Sequence, residues 1–277
     1  MRPSARWALG SLCLVVFTDL LGFGIILPLL PYAAEEFGAS GAAIGALFAA
    51  YSVAQLVAAP LLGRASDRWG RKPVLLFALS GSVASALLMT QAGTLSGLLA
   101  ARALAGACGG SIGVAHAFAL DITPAAHRTR ALGLLGASVG LGFVFGPAVG
   151  ALLAEQRLDG AAMVSAGAAT GALLLATVAL PGRRELPRQD LTERYAGRAA
   201  RSKDRGLWPL VAAGFAVTAA FCAMEATLAL LGADRHGLSP GGLGWLLASA
   251  GMALALAQGG LAAPLTRRWG ERRVAVG

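Results

Sequence analysis

Apolar residues in this chain come in long blocks, at 7–31, 42–62, 74–90, 95–120, 131–154, 161–180, 207–231 and 242–263, with polar stretches between them. Each block is close to the ~20 residues that a helix needs to cross ~30 Å of hydrocarbon. Helix is the expected conformation, because a segment in lipid has to satisfy its own backbone N–H and C=O groups. The pattern predicts an all-α integral membrane protein with eight spans. The third and fourth are separated only by Gln91, Ala92, Gly93 and Thr94.

The polar positions orient these spans. With the N-terminus in the cytoplasm, twenty of the 23 Lys and Arg residues fall in cytoplasmic segments, among them Arg64, Arg68, Arg71 and Lys72 after the second span. Only Arg157 and Arg235 fall in outer loops, and Arg102 lies inside a span. Basic residues accumulate on the cytoplasmic side of membrane proteins. The expected location is therefore the cell membrane (inner or plasma), multi-pass, with the N-terminus inside. Arg2 and Arg6 before an apolar run resemble the start of a signal peptide. The run is too long for a signal core and carries Asp19, so an uncleaved first span is expected.

The polar stretch 181–206 is the longest, with eight basic and four acidic residues. It predicts a cytoplasmic linker between a complete six-helix bundle, 1–180, and a second bundle beginning in 207–277. A repeat supports two bundles. Arg68, Trp69, Gly70 and Val74 after the second span recur two hundred residues on as Arg268, Trp269, Gly270 and Val274. Parallel repeats of six-helix halves are one transporter plan. On that plan the second bundle holds only its first two helices and the start of a third. A chain cut there is expected not to transport by itself.

Composition agrees with the layout. Of 277 residues, 56% are hydrophobic and 13% charged, where a soluble domain carries about a quarter charged residues. The net charge of +9 follows from the inside excess of Lys and Arg, so nucleic acid is not an expected partner. Cys13, Cys108 and Cys222 are far apart in apolar runs and show neither disulfide nor metal spacing. No Walker loop or hydrolase spacing occurs, so the expectation is no enzyme, no cofactor and no metal. The remaining drive is an ion gradient plus the membrane potential, worth ~2.3 kcal/mol per charge per 100 mV.

A few side chains stand out against the apolar background. Asp19 sits near the middle of the first span, where a charged Asp costs roughly 2.5–3.5 kcal/mol on insertion scales. It has to face a wet cavity or a partner, which suits a proton acceptor; a protonated Asp bonded to a neighbouring helix is the structural alternative. Arg102 either snorkels to the outer surface or faces the same cavity as a cation. Glu225 in the seventh span is a second titrating candidate, or reaches the outer surface. His116 in the fourth span is either a proton shuttle on a substrate cavity or a hydrogen-bonded packing residue. Gly142 and Gly146, four apart, line one helix face and let another backbone come close. Pro147 beside them removes a backbone donor and is expected to bend the helix.

Four stretches resemble the major facilitator superfamily, in its twelve-helix branch of drug/proton antiporters. Asp19-Leu-Leu-Gly22-Phe-Gly24-Ile-Ile-Leu-Pro28-Leu-Leu-Pro31 is similar to that branch's helix 1 signature. Gly63-Arg-Ala-Ser-Asp67-Arg-Trp-Gly70-Arg71-Lys72 resembles the loop between helices 2 and 3, and Arg102-Ala-Leu-Ala-Gly106 resembles helix 4. Gly142-Phe-Val-Phe-Gly146-Pro147-Ala-Val-Gly150 resembles the helix 5 motif of antiporters. The resemblance implies proton-coupled export of small amphipathic molecules such as drugs, with a metabolite or sugar carrier as the alternative. It implies that Arg102 couples proton to substrate. It also implies that Gly63, Asp67, Gly70 and Arg71 form a latch between the halves, and that Gly142, Gly146, Pro147 and Gly150 seal the antiport path. Tetracycline carriers are similar in overall pattern, and Gln258 matches them. Where they have an acid in helix 3 and a histidine in helix 8, this chain has Ser85 and Leu254.

Overall fold

The computed structural model describes residues 3–124, 127–153, 158–182, 224, 227, 231–232 and 237–256, and among them the regular elements are all helices. They are α1 (Pro3–Ile26), α2 (Leu30–Glu36), α3 (Gly41–Trp69), α4 (Arg71–Thr90), α5 (Leu95–Cys108), α6 (Ser111–Ile122), α7 (Arg128–Leu152), α8 (Leu158–Ala179) and α9 (Pro240–Leu256). Six of the described segments are long and apolar enough to cross a membrane: α1 with α2, α3, α4, α5 with α6, α7, and α8. We number these spans 1 to 6. They are the expected N-terminal bundle, and α9 falls where the eighth block begins. Most of the seventh block, residues 183–206 of the expected linker 181–206, and the repeat at 264–274 lie outside the described residues.

Two spans expected to be single helices are broken. Span 1 turns at 27–29 and resumes as α2. Pro28 lacks the N–H that a continuing helix would use, and Pro31 sits in the first turn of α2, where its missing donor costs nothing. Span 4 breaks at Gly109 and Gly110. The connections are capped as the sequence suggests. Ser40 Oγ accepts from Ala43 N at 3.4 Å and Thr94 Oγ1 from Gly97 N at 3.2 Å. Gly70 ends α3 and begins α4 with φ +105°, a value that side chains beyond glycine disfavour. These features define a Ser40 end and a Gly70 end of the bundle.

Helix α1 packs between α7 and α8; α4 packs on α8 and α5, and α3 on α5. Helix α9 lies along α7. The apolar core is split into two clusters. One, near the Gly70 end, gathers Leu12, Val15, Leu75, Phe118 and Leu135. The other, near the Ser40 end, gathers Ile25, Leu30, Ile44, Leu47, Met89 and Leu98. Between them polar side chains are interleaved with apolar ones. Outward-facing Val53, Leu56, Val57 and Leu61 of α3 and Leu174 and Val178 of α8 are exposed, a surface that water would penalise and hydrocarbon solvates.

Candidate functional site

The polar layer encloses a cavity of about 50 Å³, enough for one or two waters. Its wall brings together Asp19 from span 1, Ser82 and Ser85 from span 3, Arg102 and Ser111 from the two halves of span 4, and Ser165 from span 6. The two charged residues that the first and fourth apolar blocks carry mid-span thus meet on one space. Ser111 Oγ donates to Asp19 Oδ2 at 2.9 Å. Ser165 Oγ donates to the carbonyl of Gly22 at 2.7 Å and ties span 6 to span 1 one turn beyond Asp19.

Arg102 is 3% exposed, so it does not snorkel. Its guanidinium carbon lies 4.6 Å from the ring centre of Tyr51, 5.3 Å from that of Phe23 and 6.0 Å from that of Phe48. A cation over aromatic faces gains about 0.5–2 kcal/mol, more as water is excluded. Three rings from spans 1 and 2 therefore hold the buried charge at the cavity wall. The break in span 4 is part of the same construction. Gln55 Nε2 donates to the freed Gly109 carbonyl at 2.9 Å and to Tyr51 Oη at 3.3 Å. The sequence singles out Asp19 and Arg102, and Ser85 only as a departure from tetracycline carriers; Tyr51, Gln55, Ser82, Ser111 and Ser165 do not stand out, because in an apolar block they look like ordinary small or interfacial residues.

His116 does not line this cavity. Its Nδ1 lies 2.8 Å from the Ile112 carbonyl one turn earlier, the geometry of the packing alternative. Glu225 and Gln258 lie outside the described residues.

The glycines of α7 face α1. A Cβ built on Gly142 would stand 2.7 Å from Leu20 Cβ, one on Gly146 2.7 Å from Gly24 Cα, and one on Gly150 2.5 Å from the Ile25 carbonyl oxygen. Gly24 returns the contact, 3.0 Å from Gly146 Cα and 3.1 Å from Pro147 Cδ. Helix α7 runs through Pro147 without interruption. Its other side meets α9, where a Cβ on Gly244 would come 2.7 Å from the Pro147 carbonyl oxygen. At the Ser40 end, Tyr32 Oη donates to the Leu238 carbonyl at 2.7 Å, and its ring packs on Leu243 and Leu247.

At the Gly70 end, Arg71 is the centre of a network. Its Nη1 pairs with Asp67 at 2.6 Å and donates to Ser66 Oγ at 2.6 Å; Ser66 in turn donates to the Gly63 carbonyl at 2.7 Å. Arg71 Nε pairs with Asp121 at the end of α6 at 2.8 Å. The Asp121 side chain is 11% exposed and that of Asp67 67%. Asp121 was not among the expected residues. Lys72, expected only as a topological charge, donates from Nζ to the carbonyls of Thr177 and Leu180, at 2.7 and 2.6 Å, and so caps the end of α8.

The Major Facilitator Superfamily profile matches residues 12–277. The chain is 32% identical to the class G tetracycline resistance protein of Vibrio anguillarum over 287 aligned residues, covering 99% of this chain and 70% of that protein. It is 41% identical to the class H tetracycline resistance protein of Pasteurella multocida over 145 residues, 51% of this chain and 36% of that relative. Among solved structures, that of the human organic anion transporter MFSD10 (TETRAN) superposes with a TM-score of 0.73 at 24% identity, over 95% of this chain and 73% of that one; this likeness concerns the fold. A helical bundle of six spans around a charged mid-membrane cavity, a family profile along nearly the whole length of the chain, and a relative aligned over 99% of this chain agree: the chain belongs to the Major Facilitator Superfamily of membrane transporters.

Proposed function

We propose that the whole protein is a proton-coupled antiporter that exports small amphipathic molecules across the cell membrane. The observation that carries this reading is the convergence of Asp19 and Arg102 on one cavity between two apolar layers. In this reading the first bundle is 1–180, the linker 181–206, and the second bundle begins at 207. The Gly70 end, with its basic residues, faces the cytoplasm.

The chemistry follows from the groups present. An ionised Asp19 accepts from the Ser111 hydroxyl; a protonated one becomes a donor as well and needs a further acceptor for its proton. Arg102 keeps its charge at every physiological pH. Attraction between carboxylate and guanidinium across a low-dielectric cavity is strong and disappears when the carboxylate is protonated. Proton arrival therefore changes the field in which a substrate sits. The α1–α7 seam leaves no room for water between those two helices, and in this reading it closes that side of the bundle to proton leak. The Arg71 network braces the cytoplasmic turn against span 4, and in this reading it holds Gly63, Asp67 and Gly70 in place to latch onto the second bundle. Rocking of one bundle against the other then exposes the site to either side.

The serine hydroxyls around Asp19 also suit a polyhydroxylated metabolite, the second reading. Export assays in cells carrying the whole gene, with a panel of drugs and sugars, separate the two. Export that collapses with the proton gradient supports coupling; export that survives an uncoupler refutes it.

A further inference from the structure

The break in span 4 is placed where a membrane helix tolerates one least. Within hydrocarbon, each backbone group freed from a helix has to find a partner. Here the partners are specific. On the α5 side, Gln55 Nε2 takes the Gly109 carbonyl at 2.9 Å. On the α6 side, Ser111, the first residue of the helix, donates to Asp19 at 2.9 Å. Span 2 packs closely on both break positions: a Cβ on Gly109 would stand 2.8 Å from Tyr51 Oη, and one on Gly110 2.6 Å from Leu62 Cδ1, so a side chain there would push on the tips of both. Tyr51, bonded by Gln55 at 3.3 Å, also carries the ring nearest the Arg102 guanidinium, at 4.6 Å. A continuous chain therefore runs from Asp19 through Ser111, the break and Gln55 to Tyr51 and Arg102.

We propose that the glycine break of span 4, tied by Ser111 on one side and Gln55 on the other, transmits the protonation state of Asp19 to Arg102. Ser111 and Gln55 are positioning residues: neither needs to meet the substrate. When Asp19 takes a proton, the Ser111 bond loses its charge assistance and weakens. The first turn of α6 is then free to move relative to α5, because two glycines join them. The carbonyl of Gly109 moves with the break, Gln55 follows it, and Tyr51 shifts against the guanidinium. The direct field of the Asp19 carboxylate on Arg102 and the Ser82 hydroxyl beside Asp19 act on the same space, and both stay intact when Ser111 or Gln55 is changed. The titratable or charged side chains on the cavity are Asp19, Tyr51 and Arg102, with Cys108 close to Asp19. Span 3 and span 6 present Ser82, Ser85 and Ser165 with small apolar residues.

The inference rests on Asp19 as the proton acceptor, so the test reads both. Acid-minus-base infrared difference spectra of the purified chain in lipid need no substrate. The wild type is expected to show a protonated-carboxyl band that Asp19→Asn removes. It is also expected to show a change in guanidinium bands that both Asp19→Asn and Arg102→Lys remove. Ser111→Ala and Gln55→Met should keep the carboxyl band and lose most of the guanidinium change, leaving only what the direct field produces; Ser111→Thr, which keeps the donor, should retain both. If Gln55→Met fails to fold, the Ser111 pair decides alone. A guanidinium response that persists undiminished in Ser111→Ala, or that is absent from the wild type beside a clear Asp19 band, overturns transmission through the break while leaving Asp19 as acceptor. A wild type with no Asp19-dependent band overturns both.

Discussion

Where span 1 meets α7, Gly24 lies against Gly146 with no side chain between the two backbones. Five residues earlier on the same helix, Asp19 faces a cavity walled by hydroxyls and a guanidinium. The first surface is made by leaving atoms out. The second is made by placing charge and donors where lipid would otherwise reject them. The difference sets what each can tolerate. The seam should resist any added atom and be indifferent to charge, because nothing in it titrates. The cavity should accept small changes in size and fail when a charge or donor is lost.

The largest effect should therefore come from the seam. Gly146→Val places its Cβ within 2.7 Å of Gly24 Cα, and neither backbone can yield while the helices stay packed. Overpacking of this kind costs about 3 kcal/mol. We expect a large drop in the thermal midpoint of the detergent-solubilised protein, read by size-exclusion chromatography after heating. Gly133 lies on the same helix with nothing within 4 Å of a built Cβ, and Gly133→Ala should leave stability unchanged or raise it by up to about 1 kcal/mol. Equal losses at both positions would remove the seam from the comparison.

Asp19→Asn should do the reverse. The amide keeps the size and an acceptor for Ser111, so expression and thermal midpoint should match the wild type. Proton-driven efflux by the whole protein should fall to background, since the exchangeable proton is gone. Full efflux in this variant would leave the cavity without its proposed role. A variant that merely failed to fold would show that Asp19 belongs with the packing residues.

These two regions also differ in how far the sequence revealed them. Gly142, Gly146 and Gly150 recur at helical spacing, and that spacing alone announces a face without side chains. Asp19 and Arg102 are legible because charge inside an apolar block demands an explanation. Ser111, Ser165 and Gln55 are not, because a hydroxyl or amide in a membrane helix can bond its own preceding turn and need no other partner. The breaks were missed for a related reason. Pro28 and the Gly109 and Gly110 pair were visible, but hydropathy continues across them, and only tertiary contacts from Gln55 and span 2 make a break stable. Asp121 escaped because it sits at the very end of a block, where an acid looks solvated.

Asp121 gives the third test, at the Gly70 end. Both it and Asp67 pair with Arg71, but the Asp121 side chain is 11% exposed and that of Asp67 is 67%. Asp121→Asn should cost about 2 kcal/mol, the value of a hydrogen bond to a charged group. Asp67→Asn should cost no more than about 0.5 kcal/mol, as exposed pairs do. Denaturation in mixed micelles at two salt concentrations checks this, with salt weakening the Asp67 pair first. A larger loss from Asp67 would mean that its weight comes from a partner beyond the described residues.

The smallest effect is expected at Tyr32, where both kinds of contact occur side by side. Helix α9 meets α7 as a seam, with Gly244 against the Pro147 carbonyl, while Tyr32 reaches across by one hydroxyl to the Leu238 carbonyl at 2.7 Å. Tyr32→Phe keeps the ring on Leu243 and Leu247 and removes only the hydroxyl, a loss of about 1 kcal/mol. That corresponds to about a fivefold shift in the equilibrium between forms closed and open at the Ser40 end. Spin labels placed near Tyr32 and Leu238 should report a modest rise in the long-distance population, with the thermal midpoint of the first bundle unchanged. Gly244→Val attacks the neighbouring seam and should produce a much larger shift toward separation. If the hydroxyl proves to outweigh the seam, contact between the halves is governed by side-chain donors, and the rule drawn from span 1 stops at the edge of the first bundle.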